Sequence, residues 1–422
     1  MSWIMCLLRS RLHAVKYGRQ DPAHDTVVLV RVLLLFESAM YSAITPVLPH
    51  YAHALGASKP AVGVLAGAYP AGIIPGSLIG AWIATRAGVR RTTVIGLLLF
   101  AVSIAGFGFA TSIVALDALR FIQGAGCGFI WGGGLTWVIT VAPRERRGAM
   151  LGSVIGAAIF GTLIGPVLGI LAVSVGTGPV FAVVGAVAFA LAAWTQGHPE
   201  PKRRTLAAEA SSPVRALVGS PLIRLGCWLI LLEAATIGAT SALLPLRLAH
   251  FGAHSIVIGA VFLVASLISM SVSAPIGRLV DRRGAGVPLC VGLTLTAILM
   301  ALLPLPQSAA LLAIVSVIAL GGPLTAYTIP ALTVITDTAE RIGIPLAVAT
   351  MMLNLAWASG EVIGAPAAAN LSQATSDAVP LLALSAIMVL TLRPVIKARL
   401  TPAARDAEDD AREAWVQTAA AR

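Results

Sequence analysis

Long apolar stretches alternate with short polar breaks along the whole of this 422-residue chain. A helix that crosses a bilayer needs about 20 consecutive apolar residues. Stretches of about this length lie at residues 27–49, 60–84, 92–112, 115–140, 149–173, 177–195, 222–246, 255–280, 286–306, 309–335, 344–370 and 378–396. The pattern predicts twelve transmembrane helices, which we number 1 to 12 in this order.

Composition narrows the class of protein further. Hydrophobic residues make up 58% of the chain, charged residues 11%, and the mean hydropathy is +0.90. A soluble domain cannot hide that much apolar surface. Because hydrocarbon offers no partner to backbone polar groups, only helices and closed barrels span a membrane. Barrel strands alternate apolar and polar residues, unlike these continuous stretches, so the chain is predicted to be an all-α membrane protein.

The net charge of +11 invites a nucleic-acid interpretation, but the position of the charges argues against it. With an even number of spans both termini share one side, and the loops of the other side carry little beyond Lys59 and Arg247. By the positive-inside rule, both termini are expected in the cytoplasm, with the chain in the cell (inner or plasma) membrane. The basic residues of the terminal side are Arg9, Arg11, Lys16, Arg19, Arg86, Arg90, Arg91, Arg144, Arg146, Arg147, Lys202, Arg203, Arg204, Arg215, Arg282, Arg283, Arg341, Lys397, Arg399 and Arg405.

One long polar break, at residues 196–220, divides the spans into six and six. This predicts an N-terminal bundle over residues 27–195 and a C-terminal bundle over residues 221–398, joined by a cytoplasmic linker. Residues 1–26 and 399–422 are expected to be a cytoplasmic segment and tail. No removable signal peptide is expected.

The two predicted bundles resemble each other in sequence. Sliding the chain by 196 residues aligns residues 37–88 with residues 233–284 without a gap. Glu37 then meets Glu233, and Pro49 meets Pro245. The coincidence of a rare membrane carboxyl with proline and glycine positions indicates a duplicated unit, as in many secondary transporters.

Residues 277–284 (GRLVDRRG) resemble the loop motif G-x-L-x-D-R-x-G of the major facilitator superfamily, between helices 8 and 9. The matching stretch between helices 2 and 3, residues 81–88 (AWIATRAG), keeps the Arg and Gly but has Thr85 in place of Asp. The resemblance implies two pseudo-symmetric six-helix bundles around a central cavity, with a cytoplasmic charge latch. A basic loop that merely obeys the positive-inside rule is the alternative. The implied gating residues are Arg86, Gly88, Arg90, Gly277, Asp281, Arg282 and Gly284.

Helix 4 carries residues 120–126 (RFIQGAG), which resemble that family's R-x-x-Q-G-x-G motif. An Arg inside a span costs about 2.5–3.5 kcal/mol on insertion scales, so it normally faces a partner or water. The family assigns this position, here Arg120, to proton transfer. The alternative is an Arg that snorkels outward beside Asp117.

Helix 5 carries residues 161–170 (GTLIGPVLGI), similar to the antiporter motif G-x-x-x-G-P-x-x-G-G with Ile170 in place of the last Gly. Small residues one turn apart allow close helix approach, so Gly161, Gly165, Pro166 and Gly169 also suit plain helix packing. In the family this motif marks exporters, and it favours efflux here.

Two carboxyls lie near the middle of helices that line the cavity in this family, Glu37 on helix 1 and Glu233 on helix 7. A carboxyl among apolar walls can exchange a proton near neutrality, so both are expected, with Arg120, to couple protons to transport. A structural carboxyl, paired with Arg31 or with backbone, is the alternative. Glu361 on helix 11 is expected at a packing or gating position.

Aromatic and hydroxyl side chains continue the faces of these ionisable residues. Such groups suit an amphipathic or cationic substrate, although each could equally be a packing residue. The substrate cavity is predicted to include Glu37, Tyr41, Gln123, Cys127, Trp131, Glu233, Thr236, Thr240, Tyr327, Asn354 and Trp357.

The sequence therefore predicts a monomeric secondary transporter that exports a small amphipathic or cationic molecule in exchange for protons. Uptake or facilitated diffusion of a metabolite is the second hypothesis. A membrane enzyme is disfavoured because the chain has no HExxH or P-loop motif, and a receptor would leave the repeated membrane Glu unexplained. No cofactor, metal or nucleic acid is expected.

Overall fold

The computed structural model describes residues 22–143, 146–200, 219–342 and 346–398. Every apolar stretch named above coincides with a helix. The helices are Pro22–Ala43 with its continuation Thr45–Val47 and Leu48–Ala54 (helix 1), Lys59–Ala87 (2), Val89–Phe107 (3), Ile113–Val141 (4), Arg147–Val175 (5), Thr177–Gln196 (6), Pro221–His250 (7), Ser255–Arg283 (8), Gly286–Leu302 (9), Ala309–Gly321 with Pro323–Arg341 (10), Leu346–Ala374 (11) and Ala378–Lys397 (12).

Within these described ranges, ten helices are long and apolar enough to cross a membrane. Gly286–Leu302 is apolar but shorter, and Leu346–Ala374 completes the set with 29 residues. The predicted all-α membrane fold with twelve helices is confirmed. Because the number of helices is even, helix 1 begins and helix 12 ends on the same side of the bundle, which we call the terminal side; the opposite side is the far side.

Two helices are interrupted at proline. Helix 1 changes to a 3-10 turn at Thr45–Val47, which contains Pro46. Helix 10 is divided between Gly321 and Pro323. Proline has no N–H to donate and its ring clashes with the preceding turn, so helices bend or stop where it occurs. Both breaks lie in helices that bring side chains to the centre of the molecule.

The two halves pack their helices in the same way. A Cβ atom at Gly161 of helix 5 would overlap the carbonyl oxygen of Leu35, and one at Gly165 would overlap that of Ala39. In the second half, Gly360 and Gly364 of helix 11 meet the carbonyl oxygens of Leu231 and Ala235 of helix 7. These partners are 196 residues apart in sequence, as the repeat requires. The helix 5 glycines are therefore close-approach positions, as their spacing predicted.

Loop contacts repeat as well. The hydroxyl of Tyr51 donates to the carbonyl of Phe107 at 3.0 Å. Arg247 and Leu303, each 196 residues further on, make the equivalent contact, at 2.7 Å. The same backbone acceptor is thus used in both halves with a different donor.

The halves meet each other on the far side. Lys59 Nζ, at the start of helix 2, lies 2.5 Å from Asp377 Oδ1, between helices 11 and 12. Gly63 packs on Ala369 across the same junction, and Gly259 of helix 8 packs on Ile170 of helix 5. These two glycine contacts are again equivalent under the repeat. The far side is therefore closed.

Toward the terminal side, the inner faces of helices 4 and 10 are accessible. A Cβ atom at Gly132 or at Gly322 would meet no heavy atom within 4 Å. Between Gly132 and the C-terminal end of helix 4, a stripe of partly exposed residues includes Leu135, Thr136 and Thr140. Within the described residues, helices 4 and 10 are thus less enclosed toward the terminal side.

The loop between helices 2 and 3 is tied to its own half. Thr85 donates to the carbonyl of Trp82 at 2.8 Å, and the Arg86 guanidinium lies 4.1 Å from the Trp82 ring centroid. Arg90 Nε lies 3.5 Å from a carboxylate oxygen of Glu200, which follows helix 6. Glu200 is thus the acid that contacts this loop, while Thr85 bonds to its own helix.

In the second half, Gly277, Arg282 and Gly284 belong to the end of helix 8 and its cap. The side chain of Asp281, to which the sequence assigned the latch, lies outside the described part of the chain. The latch therefore stays a prediction.

Candidate functional site

Glu37 is buried in helix 1 and accepts hydrogen bonds from three donors of its own half. The hydroxyl of Tyr69, on helix 2, donates to Oε1. The indole N–H of Trp131, on helix 4, donates to Oε2 at 2.7 Å, and the Ser38 hydroxyl lies 3.3 Å from the same oxygen. An indole N–H is only ever a donor, so Oε2 is held as an acceptor. Glu37 is therefore firmly oriented within the first bundle.

Arg120 of helix 4 lies beside this network and is 2% exposed. Its Nη1 donates to Gln123 Oε1 at 2.8 Å, and its Cζ lies 4.6 Å from the Tyr69 ring centroid. Arg120 Nε and Gln123 Nε2 are buried with no hydrogen-bond partner among the described residues. The alternative of an Arg that snorkels outward is excluded by this burial. Two buried donors are left available to a bound group.

Glu361 of helix 11 joins the two halves at mid-molecule. It is 3% exposed, and its Oε1 accepts a hydrogen bond from the hydroxyl of Tyr41, on helix 1. The Tyr41 ring lies 5.2 Å from Tyr69 and 5.6 Å from Trp357, centroid to centroid. Aromatic pairs at these separations stabilise each other in tilted or edge-on geometry. Tyr41 is thus the centre of a cluster that spans both bundles.

Glu233 of helix 7 has a sparser environment than its repeat equivalent Glu37. It is 7% exposed, and its neighbours include Thr328 and Tyr327 of helix 10. It also lies close enough to Glu361 for their charges to interact. Three carboxyls and one guanidinium therefore share the centre of the molecule.

The structure brings together most of the predicted cavity residues, but in different roles. Trp131 and Trp357 are half-buried beside the carboxyls. Cys127 and Gln123, one and two turns from Trp131 on helix 4, are buried in the wall behind Tyr69. The sequence predicted which face of helix 4 these residues share, but it did not predict how deeply each residue is buried.

The remaining predicted residues do not join the carboxyls through a polar bond. Thr236 and Thr240 are buried, and their hydroxyls donate to the carbonyls of Leu232 and Thr236 at 2.8 and 2.7 Å. They satisfy their own helix, as hydroxyls in helices commonly do. Asn354 is exposed on the terminal half of helix 11. Tyr327 is fully buried beside Glu233.

Arg31 is not the partner of Glu37. Its Nε and Nη2 lie 2.9 and 2.6 Å from the Ser153 hydroxyl of helix 5. It is therefore a contact between helices 1 and 5, and the Glu37 carboxylate is held by other donors.

Two residues at the centre were missed by sequence reasoning. Tyr69 was overlooked because helix 2 is not a cavity-lining helix in the family pattern. Glu361 was given a packing or gating position, outside the substrate cavity, because it stands between Gly360 and Gly364. Its signal was present, since a third carboxyl in a span is costly and usually functional.

This arrangement can bind a cation against aromatic faces and exchange protons at several carboxyls. Within the described ranges, no group of three or more His, Cys, Asp or Glu residues is placed to hold a metal ion.

The family model of the Major Facilitator Superfamily matches residues 32–361, which include every central residue above. The chain belongs to the major facilitator superfamily. This is a family of multi-pass membrane transporters, as the resemblance of residues 277–284, 120–126 and 161–170 implied.

Two curated relatives from this superfamily match part of the chain at low identity. An uncharacterized MFS-type transporter, YcaD, of Escherichia coli O139:H28 is 28% identical over 235 residues, which are 53% of this chain and 58% of that protein. The YcaD transporter of Salmonella enteritidis PT4 is 28% identical over 227 residues, with the same shares. The chain thus spans little more than half the length of the curated relatives it matches.

Solved transporters share the fold at low identity. A bacterial homolog of the human lysosomal transporter Spinster, in an inward-facing and occupied conformation, aligns with a TM-score of 0.73 and 15% identity, over 90% of this chain and 97% of that one. A D-xylose-proton symporter aligns with a TM-score of 0.71 and 17% identity, over 89% and 97%. The nucleoside transporter NupG gives 0.68 and 12%, over 88% and 98%. These likenesses establish the fold, and the substrate has to be argued from the site.

Proposed function

We propose that this transporter exports a small amphipathic cation, a drug or a metabolite, in exchange for protons. The observation that carries the proposal is the central cluster of Glu37, Glu233 and Glu361 beside the rings of Tyr41 and Trp131. The protein would work as a monomer by alternating access of its two halves, without a cofactor or a nucleic-acid partner.

Charge and ring chemistry support a cationic substrate. Three carboxyls face one guanidinium, so the centre has excess acid when the carboxyls are ionised. Electron-rich faces of Trp and Tyr attract a cation by about 0.5–2 kcal/mol. A proton and a cationic substrate would compete for the same carboxyl charge, which is the requirement for antiport.

The direction of transport rests on two further arguments. The positive-inside pattern supports a cytoplasmic terminal side, so the accessible pathway would open inward. The resemblance of residues 161–170 to the antiporter motif, whose glycines pack against helix 1, supports export. Each proton moved by the membrane potential supplies about 2.3 kcal/mol per 100 mV.

A transport assay in liposomes tests the proposal. Purified protein is reconstituted with an acidic lumen and a neutral exterior, and a panel of cationic dyes and antibiotics is added outside. We expect accumulation that a protonophore abolishes and that Glu37→Gln lowers at least tenfold. Glu340→Gln, an exposed carboxyl at the end of helix 10, is the matched control, and protein-free liposomes give the passive leak.

Two results would overturn this function. One is accumulation that is independent of the pH gradient or unchanged in Glu37→Gln. The other is uphill movement of a sugar or nucleoside together with protons, while no cationic compound moves against its gradient; this would establish uptake.

A further inference from the structure

The hydrogen bond from Tyr41 to Glu361 differs from the other bonds at the centre because it crosses between the two halves. Tyr41 belongs to helix 1 of the first bundle and Glu361 to helix 11 of the second. We infer that Glu361 is the carboxyl whose protonation controls how the two halves move, through its bond to Tyr41. This inference deepens the proposed function and rests on it for its role in transport.

The hydrogen bonds of Glu37 should not change when one bundle moves relative to the other. Its donors Tyr69, Trp131 and Ser38 all belong to helices of the first bundle. When the bundles rock as bodies, these three contacts move together and are retained. Glu37 is therefore suited to a fixed acceptor for a cation, and Glu361 to a contact that is made and broken.

Each partner of the crossing bond is fixed firmly to its own bundle. Gly360 and Gly364 flank Glu361 and press helix 11 against the backbone of helix 7. Ser42 follows Tyr41 and donates to the carbonyl of Thr162 on helix 5 at 2.9 Å. Because neither backbone can shift on its own, the Tyr41–Glu361 separation depends on the relative position of the bundles.

The surroundings of Glu361 make its bond sensitive to charge. The groups that face it are Tyr41 from helix 1, Arg120 from helix 4 and Glu233 from helix 7; Tyr69 of helix 2 and Tyr327 of helix 10 lie behind them. An ionised Glu361 accepts a charge-assisted hydrogen bond, roughly twice as strong as a neutral one. A proton that enters from the accessible side would weaken this bond and end the repulsion from Glu233.

Spin labels across the far side test the inference without a substrate. Ala54 and Gln373 are exposed on the two bundles near the closed junction, and cysteines there allow a distance distribution to be measured between pH 5 and pH 9. In the otherwise wild-type chain we expect the fraction with the far side open to change with pH. In Glu361→Gln this fraction should no longer change.

Two tyrosine variants make a matched pair for the same measurement. Tyr41→Phe removes the crossing bond and keeps the Glu361 carboxyl, so it should shift the distribution and weaken its pH response. Tyr69→Phe removes the equivalent bond within the first bundle, so the distribution should keep its pH response. Glu361→Asp, which keeps the acid, should restore part of the response that Glu361→Gln loses.

Transport measurements connect the inference to coupling. With an acidic lumen, Glu361→Gln should lower dye accumulation at least tenfold and flatten the pH profile of dye exchange. Glu37→Gln should instead weaken dye binding at every pH. A variant that no longer folds is recognised by lost dye binding together with a broadened distance distribution.

The possible results separate the two proposals. If no cationic dye accumulates in wild-type liposomes, the proposed function fails, and the distance measurements still decide the role of Glu361. If the wild-type distribution does not respond to pH, or if Glu361→Gln and Tyr41→Phe respond as wild type does, the inference is overturned even where dye export is observed.

Discussion

The first and second halves of this transporter use the same backbone contacts to hold different chemistry. Glu37 and Glu233 are equivalent under the repeat, as are the helix 2 and helix 8 positions of Tyr69 and Ala265. Gly124 of helix 4 packs against the backbone of Tyr69, and Gly321 of helix 10 packs against the backbone of Ala265. The position of Tyr69, one of the donors to Glu37, is thus taken by an alanine in the second half.

The same replacement is found on helices 4 and 10. With the register set by Gly124 and Gly321, Trp131 corresponds to Thr328, which is the neighbour of Glu233. One carboxyl is therefore held by an indole and a phenol, whereas the hydroxyl beside the other, that of Thr328, donates to the carbonyl of Leu324 at 2.9 Å. The repeated helix packing therefore tolerates different side chains at the centre. One half holds its carboxyl firmly, and the other half leaves its carboxyl less restrained.

The largest expected effect tests whether close packing on helix 1 and on helix 7 is equally important for stability. Gly165→Val and Gly364→Val would each drive a side chain into the backbone carbonyl of helix 1 or helix 7. Overpacking of this kind costs about 3 kcal/mol, and we expect a similar loss in both halves. Thermal unfolding in detergent measures it.

Gly156→Val and Gly277→Val are controls, since a Cβ atom at either glycine meets open space. A severe loss at one close-approach glycine and a mild loss at the other would contradict the equivalence of the halves.

The next effect compares Arg247 with its equivalent Tyr51. Arg247 donates to the carbonyls of Leu303, Pro304 and Pro306 at 2.7, 2.5 and 3.1 Å. Hydrogen bonds from a charged group contribute about 1.5–3 kcal/mol, and those from a neutral group about 1 kcal/mol. Arg247→Met should therefore lower the free energy of unfolding by about 2 kcal/mol, and Tyr51→Phe by about half as much.

Unfolding by heat or denaturant distinguishes these values, with the exposed Arg393→Met as control. Equal losses at both positions would show that the charge adds nothing to the loop contact.

A smaller effect separates the environments of the two equivalent carboxyls. Trp131→Phe removes the donor at 2.7 Å from Glu37 and should destabilise the fold by about 1–2 kcal/mol, because a buried acceptor is left short of a partner. Thr328→Val should cost only about 0.5 kcal/mol, because the hydroxyl that it removes donates to the carbonyl of Leu324 in its own helix.

Trp357→Phe removes the same atoms beside Tyr41 rather than beside Glu37 and is the matched control. If Thr328→Val proves the more damaging change, Glu233 is the better-held acid and the comparison is reversed.

The smallest effect concerns the far-side ion pair. Burial alone would raise the pKa of Asp377, but hydrogen bonds from Lys59 and Ser372 and the charges of Lys59 and Arg247 hold it below its usual range. An acid with a lowered pKa contributes stability that is fully present above its unfolded-state pKa, about 3.9, and is lost as pH falls through the folded-state value. The pair is partly exposed, so Asp377→Asn should cost about 0.5 kcal/mol at pH 7.

This pair should therefore not respond between pH 5 and pH 9, and the spin-label distribution of Asp377→Asn should keep its pH response. A response in that range that disappears in Asp377→Asn would assign the pH sensitivity to the ion pair instead.

Several central residues could be predicted from the sequence, because a polar group inside a transmembrane helix is energetically costly wherever it lies. Glu37, Arg120 and Glu233 were recognised on that ground, and burial of all three agrees with it. Helical spacing placed Gln123 and Trp131 on one face of helix 4. It could not tell that Gln123 is enclosed by helix 2 while Trp131 borders the accessible side, because depth depends on neighbouring helices.

By itself, the sequence determined the twelve helices, the duplication and the costly polar residues, since each follows from hydropathy and from local spacing. Three contacts became known from the packed helices alone: Tyr69 and Trp131 with Glu37, Glu200 with Arg90, and Tyr41 with Glu361. These contacts join residues up to 320 positions apart. They depend on how rigid helices settle against one another, and no local pattern encodes that arrangement.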